Sequence, residues 1–137
     1  MLTEAQILKM SDDDYMNAEQ LAFFEEVLKQ QRVELAASIE EARASLADNE
    51  SNADPSDIAT KQEMQQVHLR TAERQAKLLS KVTQAIERIH NEDYGYCEET
   101  GEPIGIPRLL ARPMATMSIQ AKEAQEHHEK TEGSEQH

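Results

Sequence analysis

Asp48-Asn49-Glu50-Ser51-Asn52-Ala53-Asp54-Pro55 is the stretch on which the fold turns. Its short polar side chains compete for backbone hydrogen bonds, and its proline removes a donor and stops a helix. Long periodic runs stand on both sides of it. Upstream, Leu21, Phe24, Leu28, Leu35, Ile39, Ala42 and Leu46 recur mainly at steps of three and four, and Leu21, Leu28, Leu35 and Ala42 lie seven apart. That is a heptad seam. Downstream, Met64, Val67, Thr71, Leu78, Val82, Ala85 and Ile89 repeat the pattern, with Arg74 in the seam position between Thr71 and Leu78.

Asn17 is placed to cap the first run, and Asn91-Glu92-Asp93 ends the second. Each run covers roughly 30 residues, about 45 Å of helix. Two such helices, each with too narrow an apolar stripe to stand alone and joined by a short polar turn, predict an antiparallel coiled-coil hairpin. Residues 17–93 form it, with the tip at about 48–57. Residues 1–16, with Asp12-Asp13-Asp14, read as a loosely held lead-in carrying one helical turn around Ala5–Met10. Residues 94–116 form a compact, turn-rich knuckle, and residues 117–137 a last helix and a frayed tail. The fold class is mainly α: a hairpin plus a small globular head.

Composition agrees with long helices rather than a large core. The 137 residues are 4% aromatic, 38% hydrophobic and 30% charged. No apolar run approaches the roughly 18 residues that span a bilayer, and no signal peptide opens the chain. One cysteine excludes an internal disulfide framework. The expectation is a cytoplasmic monomer.

The net charge of −13 argues against direct DNA binding, which needs a basic footprint. Yet residues 58–90 hold six Lys/Arg against three Asp/Glu, while residues 1–57 hold four against fourteen. Such a basic arm either pairs with the acidic arm or faces an anionic ligand.

The knuckle reads Tyr94-Gly95-Tyr96-Cys97-Glu98-Glu99-Thr100-Gly101. A four-cysteine zinc site wants C-x2-C, a gap of about fifteen to twenty residues and a second C-x2-C. Counted from Cys97, the remaining positions are Thr100, Ser118 and Ala121. Thr, Ser and Ala bind zinc weakly or not at all, so no metal is expected and Ile104, Ile106, Leu109, Leu110, Met114, Met117 and Ile119 must hold the knuckle by packing. His127 and His128 are adjacent and point about 100° apart on a helix, a poor arrangement for one ion.

The hairpin, the Tyr-Gly-Tyr-Cys start and the run Ile104-Gly105-Ile106-Pro107-Arg108-Leu109-Leu110-Ala111-Arg112-Pro113 together resemble the DksA/TraR family of bacterial transcription factors, in its form lacking zinc ligands. The resemblance covers about Tyr15 to Glu129. It implies a factor that binds RNA polymerase rather than DNA. The hairpin would enter the secondary channel, and with guanosine tetraphosphate (ppGpp) the factor would inhibit ribosomal RNA promoters and activate others, including those for amino-acid biosynthesis. The family's tip motif D-x-x-D-x-A falls on Asp54, Asp57 and Ala59. Asp54 and Asp57 could equally cap the second helix. The family's ppGpp contacts fall on Leu78, Lys81, Arg112 and Lys122, and three cations suit a ligand with two diphosphates. Arg74, and more weakly Arg70, match arginines of the polymerase-contacting arm.

Two other classes compete. A transcript-cleavage factor of the Gre type also carries an acidic-tipped hairpin, but at the very N-terminus and followed by a β-rich domain. A plain coiled-coil adaptor would explain the heptads but not the knuckle. No nucleophile–base constellation or P-loop points to an enzyme.

Overall fold

A computed structural model describes residues 1–48 and 58–135. The elements are α1 (Glu4–Leu8), a 3-10 turn at Asp12–Asp14, α2 (Ala18–Asp48), α3 (Ile58–His90), α4 (Ile106–Ala111) and α5 (Ile119–Glu135). Among the described residues the only β pairing is an isolated bridge between Tyr96 and Pro103. The fold is mainly α and is built on a coiled-coil hairpin of α2 and α3. The chain divides into two compact units, residues 1–28 with 85–137, and residues 29–84.

The first unit holds most of the core. Ile7, Phe24, Leu28, Tyr94, Cys97 and Leu109 are each at most 3% exposed, and Phe23, Ala85, Ile86, Ile89 and Ile104 are buried with them. Phe24 stacks obliquely on Tyr94 at 5.6 Å and meets Phe23 edge-on at 5.2 Å. Such contacts add to area burial because an aromatic edge is positive and its face negative.

The N-terminal segment is not a loose lead-in. Thr3 and Gln6 form a capping box around α1, which starts a residue before the expected turn, and Ile7 is buried. Asn17 caps α2: its Oδ1 accepts the Gln20 N–H at 2.9 Å, while the buried Gln20 amide accepts the Met16 N–H at 2.9 Å. Of the knuckle's expected packing residues, Ile104 and Leu109 are buried, whereas Ile119 is 50% exposed and contributes little. It stands in the first turn of α5, most of whose described side chains face solvent.

The second unit is leaner. Among the described residues, Ile39, Ala42 and Val82 are its buried apolar ones. On α3 the expected seam holds at Thr71, Leu78, Val82, Ala85 and Ile89, which are buried or half-buried, and differs at Met64, Val67 and Arg74. Lys61, Gln65, His68, Ala72, Gln75 and Leu79 are half-buried at steps of four and three, running into Val82, Ile86 and Ile89. Arg74 is exposed, and its expected seam place belongs to Gln75. Met64 and Val67 are likewise outside, at 53% and 58% exposure. The reason is that a helix is one rod, and its register is fixed where apolar burial is largest. Stepping back from Val82, Ile86 and Ile89 by 3.5 residues leads to Gln75 and Gln65, not to Arg74 and Met64. The seam is therefore polar in places: the Oε1 atoms of Gln31 and Gln75 are shut from solvent with no hydrogen-bond partner. Each such group costs about 1–3 kcal/mol.

Candidate functional site

The knuckle is held by Tyr15, Tyr94 and Arg88, of which the sequence reading used only Tyr94, and that as part of a motif rather than for its bonds. The Tyr15 hydroxyl donates to the Gly95 carbonyl at 2.5 Å and accepts the Gly105 N–H at 2.9 Å, so one phenol ties two glycine turns. Burial raises the Tyr15 pKa and keeps this hydroxyl protonated to donate. Gly95 sits at φ +90°, and a Cβ there would lie 2.7 Å from the Met16 sulfur, so both conformation and space demand glycine. The buried Tyr94 hydroxyl donates to the Pro113 carbonyl at 2.6 Å, and burial pushes its pKa well upward.

Arg88, near the end of α3, reaches Glu98 at 2.6 Å and the carbonyls of Tyr96 and Asp93 at 2.8 and 3.1 Å. One guanidinium thus fastens the helix end to the knuckle. The available signals for these residues were an aromatic before a helix cap and a cation in a last helical turn. Neither is specific without the partners.

Cys97 is 3% exposed, and the chain turns tightly around it through the Gly101 N–H to Cys97 carbonyl bond of 2.8 Å. Burial acts to raise its thiol pKa. Hydrogen bonds donated by the Thr100 hydroxyl and by the backbone N–H groups of Ser118, Thr100 and Glu99 outweigh it and bring the pKa down to about 6. Ser118 also caps α5, its Oγ accepting the N–H of Ala121, the fourth position, at 3.1 Å. Among the described residues no group of three or more His, Cys, Asp and Glu side chains is gathered as for a metal ion.

Of the remaining expected site residues, Asp54 and Asp57 lie outside the described residues. Ala59 is exposed in the first turn of α3. In the second unit, Arg70, Arg74 and Lys81 are exposed on α3, and Leu78 is half-buried one turn before Lys81. In the first unit, Arg112 follows α4 and Lys122 lies in the first turn of α5, both exposed. Neither of these two is ion-paired among the described residues. No helix of the described residues is long and apolar enough to cross a membrane.

Comparison with known proteins agrees along the chain. Residues 20–89 match the DnaK suppressor protein DksA N-terminal domain, and residues 92–127 match the prokaryotic dksA/traR C4-type zinc finger. The RNA polymerase-binding transcription factor DksA of Caulobacter vibrioides is 45% identical over 88% of this chain and 84% of its own length. Its Escherichia coli counterpart is 37% identical over 86% of this chain and 79% of its own. These relatives bear the names of transcription factors, not of enzymes. The structure of transcription factor DksA2 from Pseudomonas aeruginosa superposes with a TM-score of 0.88 at 47% identity, covering 93% of this chain and 99% of that one.

The zinc that a C4 finger implies does not fit the residues present. One thiol, two hydroxyls and a methyl stand at the four positions, and the Ser118 hydroxyl is committed to its helix cap. What the match carries over is the knuckle's turn and the Cys97 acceptor, not the ligand set. With its long helices and its knuckle both matched, and with relatives at 45% and 37% identity spanning most of its length, the chain belongs to the DksA/TraR family.

Proposed function

We propose that this chain is an RNA polymerase-binding transcription regulator that enters the secondary channel with its hairpin tip and works without zinc. The observation that carries the reading is its 45% identity, over most of both chains, to a relative named for binding RNA polymerase. In this reading Asp54 and Asp57 act near the polymerase active site, with Ala59 letting the second helix approach closely. Arg74 and Arg70 contact polymerase along the arm. Leu78, Lys81, Arg112 and Lys122 meet ppGpp at the interface, where three unpaired cations would neutralise two diphosphates. The partner is the polymerase and not DNA, since a net charge of −13 opposes phosphate backbones. The factor acts as a cytoplasmic monomer.

Zinc independence rests on the residues that stand at the four knuckle positions. Where a metal would gather four thiolates, this chain has the one thiol of Cys97, and the Ser118 hydroxyl caps α5 by accepting the Ala121 N–H. Packing of Tyr94, Ile104 and Leu109 supplies the rest.

The experiment is in vitro transcription from a ribosomal RNA promoter with purified polymerase and this protein, with and without ppGpp and with a chelator present. Inhibition that ppGpp deepens, and that the chelator leaves intact, is expected. No effect on initiation, or factor-dependent transcript cleavage instead, would overturn the reading.

A further inference from the structure

Glu98 carries two bonds that lead in different directions. Its carboxylate meets the Arg88 guanidinium at 2.6 Å, and its backbone N–H donates to the Thr116 carbonyl at 2.8 Å. Arg88 stands in the last turn of α3, and Thr116 stands two residues before Ser118, the cap of α5. A continuous path therefore runs from the end of α3 through the first knuckle turn to the start of α5. All of it lies within the first unit. It connects the same two places, 97–100 and 118–121, that a C4 finger joins through its metal.

Three observations make this path a cross-link. A lone exposed ion pair contributes little, because two long side chains must be held in one geometry while water screens the charges. Glu98 is 55% exposed, but the Arg88 side chain is only 18% exposed and is already fixed by the Tyr96 and Asp93 carbonyls at 2.8 and 3.1 Å. Its planar fork is thus ordered with or without the carboxylate. Second, the Arg88 carbonyl accepts the N–H groups of Asp93 and Tyr94, so backbone and side chain of one residue hold the same turn. Third, the start of α5 has few other holds. Ile119 is 50% exposed, and from Lys122 onward the described side chains of α5 face solvent. Beyond its Ser118 cap, the first turn is located by Thr116 and by the Arg108 Nε–H, which donates to the Met117 carbonyl at 2.9 Å.

We propose that Arg88, acting through Glu98, is a positioning residue for the first turn of α5, in the place where a C4 finger relies on its metal. The guanidinium sets Glu98, the Glu98 N–H sets Thr116, and Thr116 leads into the Ser118 cap one turn before Lys122, whose N–H bonds the Ser118 carbonyl at 3.0 Å. Neither Arg88 nor Glu98 is a ppGpp contact in the reading above. The clamp determines where Lys122 stands for that contact, and in this respect the inference rests on that reading. Hydrogen-bonded chains transmit position because each link has one good geometry. The competing account of Arg88 is a cation near a helix C-terminus, favoured there by the helix dipole and the last carbonyls. That account gives Glu98 no role and predicts no effect at α5.

The test is amide hydrogen exchange of the purified full chain, comparing wild type with Arg88→Met, Arg88→Lys, Glu98→Ala, and Arg88→Met combined with Glu98→Ala. Arg88→Met keeps the apolar stem, and Glu98→Ala changes an exposed position, so the question is answered even if Arg88→Met does not fold. The amides at positions 98, 121 and 122 should exchange about tenfold faster in Arg88→Met and in Glu98→Ala, while those of Leu21 and Gly105, held by Asn17 and Tyr15, stay within about twofold of wild type. The combined variant should be no faster than either single one, because both break the same path. Arg88→Lys keeps the charge but not the fork, and should recover less than half of the lost protection. In transcription, the ppGpp concentration for half-maximal response should rise about fivefold in Glu98→Ala, with basal inhibition within about twofold of wild type. Wild-type exchange at 98, 121 and 122 in Glu98→Ala, equal acceleration at Leu21 and Gly105, or full protection in Arg88→Lys would each overturn the clamp while leaving the polymerase reading standing. Faster exchange with an unchanged ppGpp midpoint would overturn its role in placing Lys122. A wild-type chain without any ppGpp response would overturn the polymerase reading, and the exchange data alone would then decide the clamp.

Discussion

The Ser118 hydroxyl accepts the Ala121 N–H at 3.1 Å, so the second C-x2-C spacing of a zinc finger has become the first turn of a capped helix. The same backbone that would aim two thiolates at a metal leaves an orphan N–H at Ala121, and a serine one turn earlier satisfies it. Ser118→Ala should therefore cost about 1 kcal/mol. Faster amide exchange over residues 119–123, with a small fall in the urea midpoint, is the expected result. Unchanged exchange there would show that the cap contributes nothing.

Chelation separates this knuckle from a metal-held one. A structural zinc contributes about 10 kcal/mol or more in small fingers, so stripping it unfolds them. Here the melting temperature should be the same with and without EDTA, and protein purified in the presence of zinc should carry far less than one zinc per chain. Stoichiometric zinc, or a melt that collapses in EDTA, would contradict a metal-free knuckle.

The Cys97 thiol gives a pH signature. Its folded pKa of about 6 lies below the ordinary thiol range because hydrogen bonds favour the thiolate over the opposing effect of burial. A depressed acid stabilises the fold fully above its unfolded pKa of about 8.5, and that stabilisation fades as pH falls through the folded value. Wild type should thus lose stability between about pH 8.5 and 6 relative to Cys97→Ala, whose melting temperature should vary less over the same window. Parallel curves for the two proteins would mean that Cys97 is a neutral thiol in the fold.

Gln31 and Gln75 each hide an amide oxygen without a partner in the second unit. Replacing either by leucine removes that cost and adds apolar burial. Gln75→Leu should stabilise the protein by about 1–2 kcal/mol, and the double substitution should do so further. Chemical denaturation measures this directly, and destabilisation by both single variants would show that the amides are satisfied.

Function should separate from fold at the proposed tip and at the proposed ppGpp contacts. Asp57→Asn should leave the protein folded and polymerase-bound but abolish inhibition in the transcription assay. Lys81→Ala, Arg112→Ala and Lys122→Ala should each weaken the ppGpp response more than the basal inhibition. Each would remove one proposed charge-assisted contact, worth about 1.5–3 kcal/mol. Full ppGpp enhancement in the triple variant would refute that residue assignment, and full activity of Asp57→Asn the tip assignment.

The sequence alone determined where the helices run. The heptads from Leu21 and toward Ile89 specify two long helices, because period and capping act within a few residues, while the expected tip at about 48–57 lies almost wholly outside the described residues. It also located the knuckle and the loss of three thiolates, since ligand chemistry is written in residue type. Tertiary structure decided what local pattern could not. Met64, Val67 and Arg74 fit a 3.5-residue period as well as Gln65, Ala72 and Gln75 do, and only the deep burial of Val82, Ile86 and Ile89 selects between the two registers. Tyr15 and Gly95 are 80 positions apart in the chain, and the bond between them exists only once the head has folded. Period is a property of neighbours along the chain, whereas register and hydrogen-bond partners are properties of whatever burial brings together.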